Sequence, residues 1–278
     1  MHKPAPKMNT KITYNPAAFF GITFLITWST WFISAYFSYQ KGMQTLQALF
    51  MIPGLFAPLT AAKIMLFRAK KLELWSEYRD RLLSFKRIKM SMVPIMLFLM
   101  PAAILASIFV SLLFGKSADQ FSIIQHFGFS AGPVPVLLLL IVVPALEEMG
   151  WRGYGVDSLR SRFNLFNTSL IFGLLWALWH LPMFFIHHYY HNELLSNWVY
   201  AANFWISIFP TAIIINWLYY RNNRSIIACF LFHLSVDLAC EMFQVEQFTK
   251  CISTGILILI AAWIVIAERK LFFEEKPV

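Results

Sequence analysis

Long apolar stretches separated by short polar intervals make up most of this chain of 278 residues. A membrane-spanning helix needs about 20 mostly apolar residues, and eight stretches are candidates for such helices. They cover residues 14–37, 46–67, 91–115, 133–150, 166–187, 198–220, 225–242 and 252–267. Strands of a transmembrane barrel alternate in polarity over about 10 residues, whereas runs such as LILIAAWIVIA do not alternate. The pattern predicts an all-α fold, a polytopic membrane helix bundle with about eight transmembrane helices.

The composition supports a membrane protein. Hydrophobic residues make up 59% of the chain and charged residues 13%, whereas charged residues form about 25% of an ordinary soluble domain. No internal repeat and no low-complexity linker interrupts residues 1–278, which favours a single integral membrane domain. The first apolar stretch is too long for the core of a signal peptide, so we expect it to stay as a helix in the cell membrane.

The positions of the charges bear on partners and orientation. A net charge of +9 would suit a nucleic-acid partner. With a cytoplasmic N-terminus and eight alternating helices, however, 19 of the 23 Lys and Arg residues fall on cytoplasmic segments. The outer segments hold only Lys41, Lys116 and Lys250. This asymmetry follows the positive-inside rule, so we predict a multi-pass protein in the lipid bilayer, with both termini cytoplasmic and no nucleic-acid partner.

Three loop segments carry structural expectations. Residues 70–89, KKLELWSEYRDRLLSFKRIK, mix apolar and basic positions at helical spacing. This favours an amphipathic helix on the anionic inner leaflet, with a docking surface for a partner as the alternative. We expect His187, His188 and His191 to lie at the outer interface, where amphipathic rings are common. Asn223 is expected to be the N-cap of the seventh helix.

The segment ALEEMGWRG, at residues 145–153, places three charged side chains at the end of an apolar run. A charged residue at the centre of a membrane helix costs about 2.5 to 3.5 kcal/mol on insertion scales, which points to a function. Glu148 and Arg152 are four residues apart and share one helix face, while Glu147 lies to the side. One carboxylate is therefore paired, and the other is available to accept a proton. A salt bridge at the helix end is the structural alternative.

Two further helices carry ionisable side chains. His180 lies one turn after Trp176 and just before Pro182, which is expected to disturb the helix. His233 and Asp237 share a face about two turns from the cytoplasmic end of their helix. Each motif alone also fits a satisfied core histidine or a hydrogen bond within a helix. Together they predict a shared polar cavity that opens toward the cytoplasmic half of the bilayer, because buried ionisable groups need partners.

These residue types suit hydrolysis of an amide. A carboxylate and an imidazole can jointly deprotonate a water molecule, and His or Asp donors can stabilise the oxyanion that forms. The alternative is Zn²⁺ or another divalent metal, held by Glu147, His180 and His233. The residues leave the metal-free and metal-dependent routes open.

Three motifs together resemble the CPBP family of intramembrane endopeptidases (CAAX protease and bacteriocin-processing, or Abi). This family includes the Ras-converting CAAX endopeptidase. The motifs are EExxxR at 147–152, aromatic-xxxH at 176–180 and Hxxx[N/D] at 233–237. The resemblance covers about residues 140–240, within a core of about 133–245. It implies a glutamate-dependent or metal-dependent endopeptidase whose substrate is a membrane-associated or lipid-modified peptide or protein.

The resemblance also implies a role for each residue of the first motif. Glu147 would be the general base that activates water together with His180. Glu148 and Arg152 would orient the site and balance its charge.

The other two motifs depart slightly from the family pattern. His233 and Asp237 would stabilise the oxyanion, but the last position is often Asn in the family, and Asp donates a hydrogen bond only when protonated. The second motif usually begins with Phe, whereas this chain has Trp176.

Other functions are alternatives. HExxH and GxGD, which mark other intramembrane proteases, are absent from the sequence. A non-catalytic bacteriocin self-immunity or scaffold protein would tolerate Glu147→Gln. A proton- or ion-coupled transporter is expected to carry paired polar half-helices in symmetric positions, whereas here the polar residues crowd into the second half of the chain.

Overall fold

Long and short helices alternate along the chain. The structure is a computed structural model that describes residues 13–123 and 136–275. Its helices are α1 Pro16–Ser38, α2 Gln44–Arg68, α3 Leu72–Leu83, α4 Val93–Leu112, α5 Val136–Gly150, α6 Val156–Arg160, α7 Leu165–Trp179, α8 Tyr190–Glu193, α9 Trp198–Arg221, α10 Ile226–Met242 and α11 Gln247–Ala267. A π-helical turn at Trp151–Gly155 joins α5 to α6, and a 3-10 turn at Leu181–Phe185 follows α7.

The predicted all-α membrane bundle is confirmed. Within the described ranges, six helical segments are long and apolar enough to cross a membrane, and they contain α1, α2, α4, α7, α9 and α11. The other two predicted spans coincide with α5 and α10, which have 15 and 17 described residues. The protein is therefore a multi-pass membrane protein, and the predicted count of eight is approximate.

One predicted helix end is wrong. Helix α11 begins at Gln247 and not at 252, because its polar first turns face the protein interior, where Thr249, Ser253 and Thr254 are buried. Lys250 thus belongs to a helix. The predicted span 166–187 agrees with the membrane-length segment Leu165–Phe185, although its α-helical part, α7, ends at Trp179. The following turn contains Pro182, which cannot continue the hydrogen-bond pattern of an α-helix.

The long helices bury small polar side chains among their apolar core residues and expose other apolar side chains. In α1, Thr23, Thr27 and Ser34 are fully buried, whereas Leu25 is 70% exposed. Lipid is as apolar as leucine, so small polar residues and hydrogen bonds hold membrane helices together. Accordingly, the indole N–H of Trp179 donates to Thr27 Oγ1 at 2.7 Å.

A close helix approach positions the charged motif at the end of α5. A Cβ atom on Gly150 would lie 2.3 Å from the carbonyl carbon of Pro58 in α2. Only glycine fits at this distance, because it has no Cβ. The contact holds the α5 terminus, with Glu147 and Glu148, against α2.

Helix α3 forms as predicted, but one of its faces packs on protein. Leu74, Tyr78 and Arg81 are buried. The guanidinium of Arg81 donates to Asp157 Oδ2 at 2.7 Å, and Arg224 pairs with the same carboxylate. The prediction that α3 lies on the inner leaflet is therefore wrong for this face. The face packs on protein because Arg81 pairs with the buried Asp157.

We call this group the Asp157 cluster. It contains Arg81, Asp157, Tyr219, Tyr220 and Arg224. Both tyrosine hydroxyls donate to the Asp157 carboxylate at 2.9 Å. The cluster ties α3, α6, α9 and the turn after α9 into one unit.

The predicted N-cap of α10 is wrong. Ser225 Oγ accepts the backbone N–H of Ala228 at 3.3 Å and caps the helix. Asn223 instead adopts a left-handed backbone with φ 53°, and its side chain donates to the carbonyl of Arg87 at 3.1 Å. Asn tolerates this conformation better than most residues, so it forms the turn that precedes the cap.

We expect Asp157→Asn to destabilise the protein by about 3 kcal/mol, because removing one partner of a buried ionic network leaves charge uncompensated. Thermal unfolding in detergent measures this. Asp80→Asn is the control, since Asp80 pairs with Arg87 at a surface site where its side chain is 54% exposed, and little change is expected there. Equal melting temperatures for the two variants would contradict a structural role for the cluster.

The same residue gives stability a pH dependence. Burial raises the pKa of the Asp157 carboxyl, but the Arg224 and Arg81 guanidinium groups lower it more strongly, so the net pKa falls below 3.8. A depressed folded-state pKa stabilises the protein above the unfolded pKa. We expect this contribution to disappear as the pH falls below about 4.

Candidate active site

The first predicted motif forms a buried ion pair. Arg152 Nη1 donates to Glu148 Oε1 at 2.9 Å, and both side chains are fully buried. Arg152 Nη2 donates to Asn216 Oδ1 at 3.1 Å, and the guanidinium lies 4.7 Å from the Phe172 ring centroid. One carboxylate thus balances the charge of the arginine, and neighbours on α7 and α9 orient its guanidinium group.

The third motif contacts the same carboxylate. His233 Nδ1 lies 2.9 Å from Glu148 Oε1. An ionised carboxylate only accepts hydrogen bonds, so Nδ1 carries the proton and donates it. His233 Nε2 is 3.8 Å from Asp237 Oδ1, which is beyond hydrogen-bond distance. The histidine is therefore anchored through Nδ1, and its Nε2 faces Asp237 and the cavity.

Glu147 is held by two tryptophans. Its Oε2 accepts the indole N–H of Trp151 at 3.2 Å and that of Trp176 at 3.0 Å. Among the described residues these hydrogen bonds involve Oε2 alone, so Oε1 is the oxygen left to accept a proton. The aromatic-xxxH motif by itself predicts no polar contact for Trp176. The signal was present, since a tryptophan offers a donor that the usual phenylalanine lacks.

Trp176 also orients the second motif. Its backbone carbonyl lies 2.8 Å from His180 Nδ1. A carbonyl can only accept, so Nδ1 of His180 bears the proton and Nε2 of the neutral ring is an acceptor. The Trp176 ring centroid is 6.1 Å from that of His180 and 5.4 Å from that of His233. The structure thus brings the three motifs together around one tryptophan.

A cavity of about 260 Å³ adjoins this cluster. Trp176, His180, His233 and Asp237 line it, and so do residues from the beginnings of α9 and α11 and the end of α10. Those helix ends lie opposite the ends that carry Arg221, Arg224 and Arg269. The lining continues along α10 from His233 away from the basic end of that helix. The opening toward the cytoplasmic half stays a prediction.

His191 lies close to the site, and the expectation of an outer interfacial position is wrong for it. Its ring stacks on that of His180, with centroids 5.8 Å apart, and it is only 9% exposed. Phe204 contacts it from the side. The turn after α7 folds the chain back over His180, which a linear pattern of residues does not indicate. His187 stacks on Tyr39 instead.

The predicted metal ligands Glu147, His180 and His233 do not form a three-ligand site in this arrangement. Across residues 13–123 and 136–275, no three His, Cys, Asp or Glu side chains are grouped so that they could hold one ion. Both histidines use Nδ1 in hydrogen bonds to protein groups. We derive no step through a metal, and binding of Zn²⁺ or another divalent ion stays a prediction that metal analysis of the purified protein tests.

The sequence also contains a serine-protease spacing. GFSAG, at residues 128–132, has the GxSxG spacing of a nucleophile elbow. The segment lies outside the residues that the structure describes. Ser130 therefore serves as a control in the experiment on mechanism.

The fold and the site define a class of protein, a polytopic helical membrane protein with a buried glutamate and histidine site. Residues 128–239 match the family model described as Type II CAAX prenyl endopeptidase Rce1-like. The chain is 41% identical, over 269 residues, to a protein of Methanococcus maripaludis named CAAX prenyl protease 2, and the match covers 96% of this chain and 99% of that one. The chain belongs to the Rce1-like CAAX prenyl endopeptidase family and is a CAAX-type endopeptidase. The predicted family resemblance is confirmed.

We expect Trp176→Phe to keep the fold and to lower activity about 10-fold, because it removes one hydrogen bond to a carboxylate and retains an aromatic ring. Peptide cleavage by purified protein in proteoliposomes measures this. Trp28→Phe is the matched control, since it removes an indole hydrogen bond to the Leu178 carbonyl, at the opposite side of α7. Full activity in Trp176→Phe would show that Trp151 alone suffices to hold Glu147.

Proposed function

We propose that this endopeptidase cuts a peptide bond of a membrane-associated, prenylated protein with water activated by Glu147 and His180. The observation that carries the mechanism is the anchoring of both side chains around Trp176. One oxygen of Glu147 and one nitrogen of His180 are occupied by hydrogen bonds. The remaining Oε1 and Nε2 are both acceptors, which is what a water molecule needs in order to be oriented and deprotonated.

In the proposed reaction Glu147 first accepts a proton from water and later donates it to the leaving amine. The carboxylate takes a proton from water as the oxygen attacks the carbonyl carbon of the substrate. A tetrahedral oxyanion forms, and it collapses as the C–N bond breaks. Glu147 then gives the proton to the leaving amine and returns to its ionised form. His180 Nε2 holds the water through its second hydrogen.

His233 is proposed as the oxyanion donor. In its imidazolium form it donates from Nδ1 to Glu148 and from Nε2 into the cavity, where the oxyanion develops. Asp237 lies on the same helix face, with Oδ1 3.8 Å from His233 Nε2, and its negative charge is proposed to stabilise the imidazolium form of His233. This assignment needs no protonated Asp237, which removes the difficulty raised by an aspartate where the family often has asparagine.

The substrate proposal rests on the family. The relative in Methanococcus maripaludis is named a CAAX prenyl protease, and a CAAX motif is a C-terminal signal whose cysteine is prenylated. A prenylated tail partitions into the bilayer, where this cavity lies. The alternatives of a self-immunity or scaffold protein and of an ion-coupled transporter gain no support from the family match.

Orientation is part of the proposal. Both termini are placed in the cytoplasm, because the basic segments lie at one end of the bundle. Single cysteines replacing Lys41 and Arg79, in a variant without native cysteines, test it with an impermeant thiol reagent on intact cells. We expect labelling at position 41 and protection at position 79. The reverse pattern would invert the orientation.

We expect Glu147→Gln to lower cleavage of a farnesylated CAAX peptide by at least about 100-fold, the usual range for loss of a general base. Gln keeps an oxygen that accepts from the two indoles, so the fold is retained. His180→Ala is expected to act in the same direction. Cleavage in proteoliposomes, followed by mass spectrometry of the product, measures both.

Two control variants accompany this experiment. Glu73→Gln changes an exposed glutamate of α3 and is expected to leave activity unchanged. Ser130→Ala tests the GFSAG segment and is also expected to be active. Activity retained by Glu147→Gln, or lost in Ser130→Ala at matched expression, would overturn the glutamate mechanism.

A further inference from the structure

We propose that Lys250 binds the free C-terminal carboxylate of the substrate and so sets how far from the chain end the cut is made. This inference rests on the proposed function. It assigns a carboxylate subsite to the end of the cavity away from the catalytic histidines. There it would recognise the last residue of the substrate by charge, whatever its side chain.

Lys250 is the one Lys or Arg among the described residues that line the cavity. Its Nζ donates to the hydroxyl of Tyr190 at 3.2 Å and lies 4.6 Å from the centroid of that ring. Tyr190 in turn donates to Gln247 Oε1 at 3.5 Å. The ammonium group is thus positioned by neutral side chains that hold it at the cavity wall. All three residues line the cavity.

The charges around Lys250 define what it can accept. Glu241 also lines the cavity and lies within electrostatic reach of Lys250. This glutamate keeps the ammonium from being an isolated charge within a bundle that lies in lipid. An incoming carboxylate would join the pair as a second anion and would receive hydrogen bonds from Lys250. Such charge-assisted bonds are about twice as strong as neutral ones.

The residues of α10 that line the cavity give the length of the cavity along this helix. His233, Asp237 and Glu241 follow one another at successive turns and all line the cavity. At 1.5 Å per residue, the distance from the first to the last is about 12 Å. Lys250 lies within electrostatic reach of Cys240 and Glu241 and therefore at the far end of this row.

Three extended residues span about 10 Å. A CAAX protein carries three residues after the modified cysteine. A carboxylate held at Lys250 therefore places the peptide bond that follows the cysteine near His233, where the proposed oxyanion donor lies. Lys250 would recognise the carboxylate at one end of the cavity, and the peptide bond would be cut near His233 at the other end. The cavity is therefore suited to removing three residues.

The test compares two farnesylated peptides of the same sequence, one with a free C-terminal carboxylate and one with a C-terminal amide. We expect wild-type protein in proteoliposomes to cut the acid with a kcat/KM about 10-fold higher than the amide, the value of one hydrogen bond to a charged group. Lys250→Met should lose this preference, through a higher KM for the acid. Lys250→Arg should keep part of it. Lys116→Met removes a partly exposed lysine paired with Glu246 at the same end of the bundle and is the control.

The outcomes separate this inference from the proposed function. If wild-type protein cuts acid and amide equally and Glu147→Gln cuts neither, the carboxylate subsite is overturned and the glutamate mechanism stands. If wild-type protein cuts neither peptide, the proposed function fails first. Should Lys250→Met fail to fold, the acid and amide comparison on wild-type protein still decides the question.

Discussion

The buried ion pair of Glu148 and Arg152 is the interaction on which the rest of the structure depends. Neither charge has access to water, so each needs a partner of opposite charge. Glu148 Oε1 meets this need and also anchors His233. The backbone carbonyl of Arg152 accepts a hydrogen bond from Arg81 and lies 3.0 Å from the Tyr219 hydroxyl oxygen in the Asp157 cluster. Arg152 therefore joins the candidate active site to the Asp157 cluster. Its side chain contacts Glu148 in the site, and its backbone carbonyl contacts the cluster.

Trp176 has a similar position among the aromatic residues. Its indole N–H, its ring and its carbonyl contact Glu147, His233 and His180, respectively. A single rigid side chain thus fixes the relative placement of groups from α5, α7 and α10. A hydrolytic site in a membrane gains from this, because reacting groups must be held in place before the substrate arrives. The typical phenylalanine of the family would supply the ring contact and the carbonyl but no donor to the glutamate.

Much of the helix bundle and the grouping of the three motifs were predictable, because each depends on local rules. Apolar length indicates membrane helices, and the four-residue spacing of Glu148 and Arg152 alone predicts their ion pair. What failed depended on tertiary contacts. The polar first turn of α11 is helical because its side chains face other helices, and His191 is buried because the turn at Pro182 reverses the chain. The hydropathy pattern predicts neither of these contacts. The direction in which the cavity extends along α10 also depends on helix packing, which the pattern does not give.

The cavity itself shows how a membrane enzyme can combine charge with an apolar setting. Its polar residues lie in rows along helices, with His233, Asp237 and Glu241 on successive turns of α10. Apolar side chains such as Met100 and Leu257 line the remaining walls. A peptide in such a cavity exchanges water for a few fixed hydrogen bonds, which favours substrates whose own charges meet a partner. The C-terminal carboxylate is one charge that every unmodified chain end carries, and it is the group proposed to bind Lys250 at the end of the row.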